Sequence, residues 1–402
     1  MRHTRPLVLT TLATSLLALA ACNGNAAPTA QTADTADTGQ ATTTADAGDA
    51  APALPANDAW AALPFNVEAV AAFDAPWALG FLPDGRLLVT EKGGTLQLVS
   101  LTDGSKRAIA GVPAVANAGQ GGLGDIKPHP LFAENGLVYF SYAEDGDGGR
   151  GAAVARARLD ADAGTLQDVE VIWRQTPKVD GNGHYGHRIA FDGDGMLWIS
   201  SGDRQKFDPA QDMASSMGKI LRLNDDGTVP ADNPFAGQGD VASQIWSLGH
   251  RNPLGIAFDA QGQLWNSEMG PKDGDELNLV ERGENYGYPI VSNGDHYDGR
   301  PIPDHDTRPE FKAPAVTWTP VISPSSLMFY SGDAFPDWAG SAFIGGLSSQ
   351  SLVRVSFNGS TAQEAERFAM GARIRDVAQA PDGSLWALED GGGKLLKLTP
   401  KG

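Results

Sequence analysis

The chain has 402 residues, with 49 acidic against 30 basic side chains and a formal charge of -19 at pH 7. That length admits one large domain or two ordinary ones, and a polyanionic surface excludes nucleic acid, whose phosphates need clustered Lys and Arg. The 49 glycines and 9 tryptophans suit many short strands joined by tight turns, and the 1 cysteine excludes an intrachain disulfide.

In chain order, Arg2, His3 and Arg5 precede an apolar run over 7–21 that is too short to span a bilayer comfortably. The run ends Leu19-Ala20-Ala21-Cys22, which looks like a signal peptide with a lipoprotein cleavage box. The expectation is a signal peptide over 1–21 and an acylated Cys22, giving an exported protein anchored in the periplasm or at the outer membrane by lipid alone. No other stretch is long and apolar enough to span a membrane. From 22 to 59 the sequence is mostly Ala, Thr, Asp, Gly and Pro, without Leu, Ile, Val or an aromatic before Leu54. Such a segment cannot bury enough apolar surface to offset chain entropy, so it reads as a disordered tether.

From Trp60 to the C-terminus one phrase recurs: apolar residues, a turn rich in Asp and Gly, then an alternating strand. It is clearest at Leu82-Pro83-Asp84-Gly85, Asp192-Gly193-Asp194-Gly195, Asp259-Ala260-Gln261-Gly262 and Pro381-Asp382-Gly383. Asn135-Gly136 opens a looser copy, and the stretches 326–330 and 341–345 form a degenerate one. Asp-Gly between apolar runs signals a hairpin, because both residues tolerate positive φ. Six such hairpins with few helical stretches predict an all-β fold, a six-bladed β-propeller over 60–402. A β-sandwich or two β-domains is the alternative. Uneven spacing implies inserted loops, and those loops should carry function at one mouth of the channel.

Four loops differ from blade filler. Gly119-Gln120-Gly121-Gly122 allows close backbone approach, with Gln120 at the tip. In Gly183-His184-Tyr185-Gly186-His187-Arg188, a His before a strand suits a general base near neutral pH, or simply caps a turn. His184 and His187 lack a third His or Cys nearby, which argues against zinc. In His250-Arg251-Asn252-Pro253, Arg251 and Asn252 form a fork of donors suited to a planar anion, unless Arg251 pairs with an acid. The loop from Glu268 through Gly270, Pro271, Asp275 and Glu276 to Tyr286 combines carboxylates with free carbonyls, as calcium prefers. It is also readable as a solvated turn. Finally, Arg373 and Arg375 share one face of a strand, so their charges require an anion or a partner acid between them.

These segments, in this order, resemble the glucose/sorbosone dehydrogenase family, which includes soluble PQQ-dependent glucose dehydrogenases and bacterial aldose sugar dehydrogenases. The phrases 250–253, 270–278, 285–289 and 373–377 carry the likeness, which runs from about 75 to 398. The resemblance implies His184 as general base, Gln120 beside the substrate, and Arg251, Asn252, Arg373 and Arg375 on PQQ. It implies calcium on the carbonyls of Gly270 and Pro271, with a second calcium on Asp275, Glu276 and the Tyr286 carbonyl. An aldose would be oxidised to a lactone, with an external cytochrome or quinone as final acceptor. A substrate aromatic would lie at or near Trp318. Several positions depart from the family pattern: Ser348 replaces an expected Lys, Leu254 an expected Gln, Gly183 an acid or amide, and His187 a small residue. The missing Lys leaves a second reading, a PQQ-free propeller that binds glycans or a partner, and a calcium-dependent lactonase is a third.

Overall fold

The computed structural model describes residues 57–402. The signal segment, Cys22 and nearly all of the expected tether lie outside them. The described residues open with the Asn57 side chain capping a short 3-10 helix, Asp58–Ala62, in which Trp60 is buried.

Six four-stranded antiparallel sheets form the blades. In chain order they occupy residues 76–109, 123–174, 186–248, 253–318 and 328–369. The sixth combines residues 374–400 with the N-terminal strand Phe65–Ala72, which pairs along Lys394–Pro400. The two ends of the folded chain are thereby zipped into one blade, and the circle closes without a free edge there. Six apolar clusters follow the same logic, one between each pair of neighbouring blades. Trp77 and Leu123 meet between blades 1 and 2, for example, and Phe343 and Leu396 between blades 5 and 6.

The recurring Asp/Gly phrase joins the innermost strand of a blade to the second. Only the glycine takes positive φ (Gly85 85°, Gly195 80°, Gly262 76°, Gly383 78°). The turn is thus the three-residue hairpin loop closed by a left-handed glycine, rather than a two-residue loop with both φ positive. In blades 3 and 4 the Asp does a second job. Asp192 and Asp259 accept the indole N–H of Trp198 (2.9 Å) and Trp265 (3.0 Å), so that a large ring enters the core with its one polar group satisfied.

At the opposite end of the innermost strands, hydroxyls stitch each blade to the next. Thr90 donates to the Gly124 carbonyl (2.7 Å), Ser141 to His187 (2.7 Å) and Ser200 to Pro253 (2.8 Å). Arg188 lies on the axis below. It contacts Asp125 (3.5 Å) and Asp376 (3.2 Å), donates to the Leu254 carbonyl (2.8 Å), and lies 4.0 Å from the Trp77 ring centre. Five of the six innermost strands also carry a register shift near their start, at Pro76/Ala78, Leu123/Ile126, Gly186/Ile189, Pro253/Gly255 and Ile374/Asp376. A bulge redirects the side chain it contains, and here that determines what faces the channel mouth.

Candidate active site

Trp77, His187, Leu254 and Arg375 sit within those irregularities, and all four line one cavity of about 300 Å³ at the mouth. This lies at the lower end of the range for small-ligand sites. Arg373, Gln120 and Lys92 complete its polar wall. The two arginines share one acid: Arg373 Nε donates to Asp390 Oδ2 (2.8 Å) and Arg375 Nε to Oδ1 (2.8 Å). Burial opposes ionisation of Asp390, but the two guanidinium groups outweigh it and hold the carboxyl below its usual range. Lys92, which follows the second strand of blade 1, donates to the Gly119 carbonyl (2.8 Å). Partial burial and the charge of Arg375 lower its pKa. Lys92, Arg373 and Arg375 therefore face one carboxylate, which makes this pocket cationic in a chain of net charge -19.

His184 stands beside this cavity, held in left-handed backbone (φ 48°). Gln120 Oε1 accepts its main-chain N–H (2.7 Å), so Gln120 both lines the cavity and fixes the His184 backbone. The ring Nδ1 is 2.7 Å from Asp203 Oδ1. Burial lowers the imidazole pKa and nearby Arg251 lowers it further, against the opposing pull of Asp203. The result is a neutral ring near pH 7 whose Nδ1–H donates a hydrogen bond to Asp203, leaving the Nε2 lone pair for a ligand. His187 is buried beneath the cavity and pushed down to about 3, first by burial and then by the surrounding cations, so it serves as a neutral wall.

Among the described residues Arg251 has no ion-pair partner. Its Nη1 donates to the carbonyls of Gly270 (2.5 Å) and Met269 (3.1 Å), and Glu268 accepts its main-chain N–H (2.8 Å). Its Nε is buried without a partner, as are Asn252 Oδ1, His187 Nδ1, Tyr185 Oη and Tyr288 Oη. Buried polar atoms are nearly always satisfied. Tyr185 and His187 line the first cavity and Arg251 and Tyr288 a second one, which fits a polar ligand seated there.

Gly270, Pro271, Glu276 and Tyr286 meet at a second cavity of about 10 Å³, room for roughly one water-sized sphere. Glu276 gives one oxygen to Asn278 Nδ2 (3.1 Å), and burial beside Glu268 raises its pKa well above the usual. The Tyr286 carbonyl lies 3.1 Å from His305 Nε2. These oxygens are of the kind calcium takes. Asp275 does not join them: it accepts the N–H groups of Gly270 (2.9 Å) and Ser323 (2.6 Å), and burial pushes it up to about 6. Among the described residues no three His, Cys, Asp or Glu side chains converge on a metal position, so any calcium here relies on backbone carbonyls together with the Glu276 carboxylate.

Trp318 is not at the mouth. It lies on the outermost strand of blade 4, buried, with its indole on Glu364 (2.7 Å). Ser348 is turned to Ser323 Oγ (2.8 Å). Three further residues at the site carried no sequence motif: Lys92, Asp203 and Asp390. The only trace was an acid or base one or two residues past an apolar second strand.

These features define a propeller enzyme site, with a cationic cofactor-sized cavity beside a buried His–Asp pair. The sequence matches the glucose/sorbosone dehydrogenase family over residues 73–397. It is 40% identical over 347 residues to the aldose sugar dehydrogenase YliI of Escherichia coli K12, covering 84% of this chain and 93% of that protein. The apo-form crystal structure of the soluble E. coli aldose sugar dehydrogenase is similar at a TM-score of 0.79 and 39% identity, covering 84% of this chain and 100% of that one. The PQQ-bound aldose sugar dehydrogenase of Streptomyces coelicolor is similar at a TM-score of 0.69 and 30% identity, covering 83% and 98%. The chain belongs to the glucose/sorbosone dehydrogenase family, a family of oxidoreductases.

Proposed function

We propose that the protein oxidises the anomeric carbon of aldose sugars to the lactone, with PQQ as the bound electron acceptor and calcium as its companion ion. The observation that carries this reading is the juxtaposition of a cationic cavity, built by Lys92, Arg373 and Arg375, with a neutral His184 oriented by Asp203. A planar tricarboxylate meets the charge of that cavity and offers acceptors to the unpaired Arg251 Nε. The likeness to a PQQ-bound relative supports the same cofactor. When bound, the quinone supplies a two-electron acceptor for the hydride leaving C1. Calcium would be held by Gly270, Pro271, Glu276 and Tyr286 and would supply a Lewis acid.

The chain's own residues do the rest. His184 Nε2 takes the proton from the anomeric hydroxyl, and Asp203 stabilises the imidazolium that forms. Gln120 fixes the His184 main chain, so the lone pair keeps its direction. Arg251 and Asn252 position the ligand edge, while Trp77, Leu254 and Met269 exclude water from it. Electrons then leave to an external cytochrome or quinone. Export and anchoring through Cys22 complete the reading. Labelling with radioactive palmitate that disappears in Cys22→Ser tests the anchor.

Ser348 at an expected lysine position is the one observation favouring a PQQ-free, glycan-binding propeller. Lys92 supplies a cation to the same cavity and weighs against it. Purified protein loaded with PQQ and calcium should reduce a redox dye when given aldoses. No dye reduction with any aldose, despite bound PQQ, overturns the proposed activity.

A further inference from the structure

Among the described residues six large apolar side chains are exposed, and the only aromatic ones are Phe207 (41%) and Tyr297 (74%). Both lie at this mouth. The Phe207 ring is 6.3 Å from Tyr288 and 5.6 Å from His296, and Arg251 lies 5.9 Å from the Tyr288 ring centre and 5.7 Å from that of Tyr297. The loop presenting Phe207 is held in a rare conformation: Arg204, Gln205 and Phe207 all take positive φ (55°, 60° and 64°). A phenylalanine adopts this backbone only where its surroundings impose it.

Those surroundings are visible. Asp203, the partner of His184, accepts the N–H groups of Gln205 (3.0 Å) and Phe207 (3.3 Å). The Arg204 guanidinium is buried over the Tyr185 ring (3.8 Å) and donates to the carbonyls of Gly183 (2.8 Å), Gly181 (2.6 Å) and Arg150 (2.6 Å). One carboxylate thus orients the base and raises an aromatic face beside it. Apolar faces with polar edges, set next to an arginine, suit a pyranose ring, whose C–H face stacks while its hydroxyls take hydrogen bonds.

We propose that Phe207 and Tyr297 form a second sugar subsite, which holds the non-reacting ring of a disaccharide whose reducing ring lies at His184. This rests on the sugar-oxidising reading above and names its substrate class. The test uses the full chain loaded with PQQ and calcium, with glucose, maltose and cellobiose as substrates, and Phe207→Ala and Tyr297→Ala as variants. Each variant should raise KM for at least one disaccharide by roughly three- to tenfold, the range for losing one aromatic contact. The glucose KM should stay within twofold. Equal changes for glucose and the disaccharides, or no change, overturn the subsite. So does an effect confined to the electron acceptor, which would mark a docking face for that partner instead. Saturation-transfer NMR on the cofactor-free protein separates this inference from the reading beneath it. Disaccharide signals should come mainly from the non-reducing ring and weaken in both variants, whether or not turnover occurs; transfer confined to the reducing ring contradicts the subsite.

Discussion

Replacing Asp203 with Asn keeps the shape of the His184 partner and removes its charge. The carboxylate is fully buried and 2.7 Å from Nδ1, so solvent does not screen the loss. A hydrogen bond to a charged group contributes about 1.5–3 kcal/mol. If that stabilisation is realised as His184 becomes cationic in the transition state, kcat should fall roughly 10- to 150-fold. Asp203 also raises the His184 pKa against burial and Arg251. Without it the pKa drops further, and since the base works when neutral, the acidic limb of the kcat profile should move to lower pH while the plateau falls. The amide that still accepts from Nδ1 would turn its NH2 toward the Phe207 N–H, so the disaccharide KM should rise as that loop loosens. Steady-state dye reduction from pH 4 to 8, with glucose and maltose each varied from below KM to saturation, measures all three effects. A kcat within threefold of wild type, or a limb that moves to higher pH, would refute the assignment of His184 and Asp203 as base and partner.

Lys92→Met should weaken PQQ binding by about tenfold, because a half-exposed ammonium is partly screened. It should also flatten the salt dependence measured by fluorescence titration, and Ser348→Lys added to it should restore part of the affinity. Calcium should raise the melting temperature of the wild type, and Glu276→Gln should abolish that rise; an equal calcium response in the variant removes Glu276 from the ion site. Arg188→Met leaves Asp125 and Asp376 facing each other on the axis and should lower unfolding stability in urea by about 3–5 kcal/mol, the usual effect of breaking a buried ion pair.

The blades were legible because each begins with a local rule. A left-handed glycine after an Asp-containing turn, followed by alternating apolar residues, needs no distant partner to be recognised, and 82–85, 192–195, 259–262 and 380–383 all closed hairpins. The site loops were legible as glycine-rich or arginine-bearing segments ahead of innermost strands. Their convergence was not. Lys92 from blade 1 and Asp390 from blade 6 meet only because the N-terminal strand closes the ring. The bulges that aim Trp77, His187, Leu254 and Arg375 arise from pairing register, which no short window contains. The resemblance alone pointed to Trp318 or its neighbour as the substrate aromatic, and an aromatic in a strand reads the same in sequence whether its face meets the mouth or the next blade. Asp275 looked like a metal ligand because acids cluster in its loop, yet the folded backbone surrounds it with N–H donors instead.

The most direct measurement is an anaerobic absorbance titration of the cofactor-free protein with PQQ in calcium buffer, followed by one addition of glucose or maltose. Saturation at one PQQ per chain, weakening with salt, and then bleaching of the quinone band by sugar alone is the expected result. Failure of PQQ to bind, or a bound band that no aldose bleaches, would contradict the cationic cavity and the His–Asp pair as parts of one oxidising site.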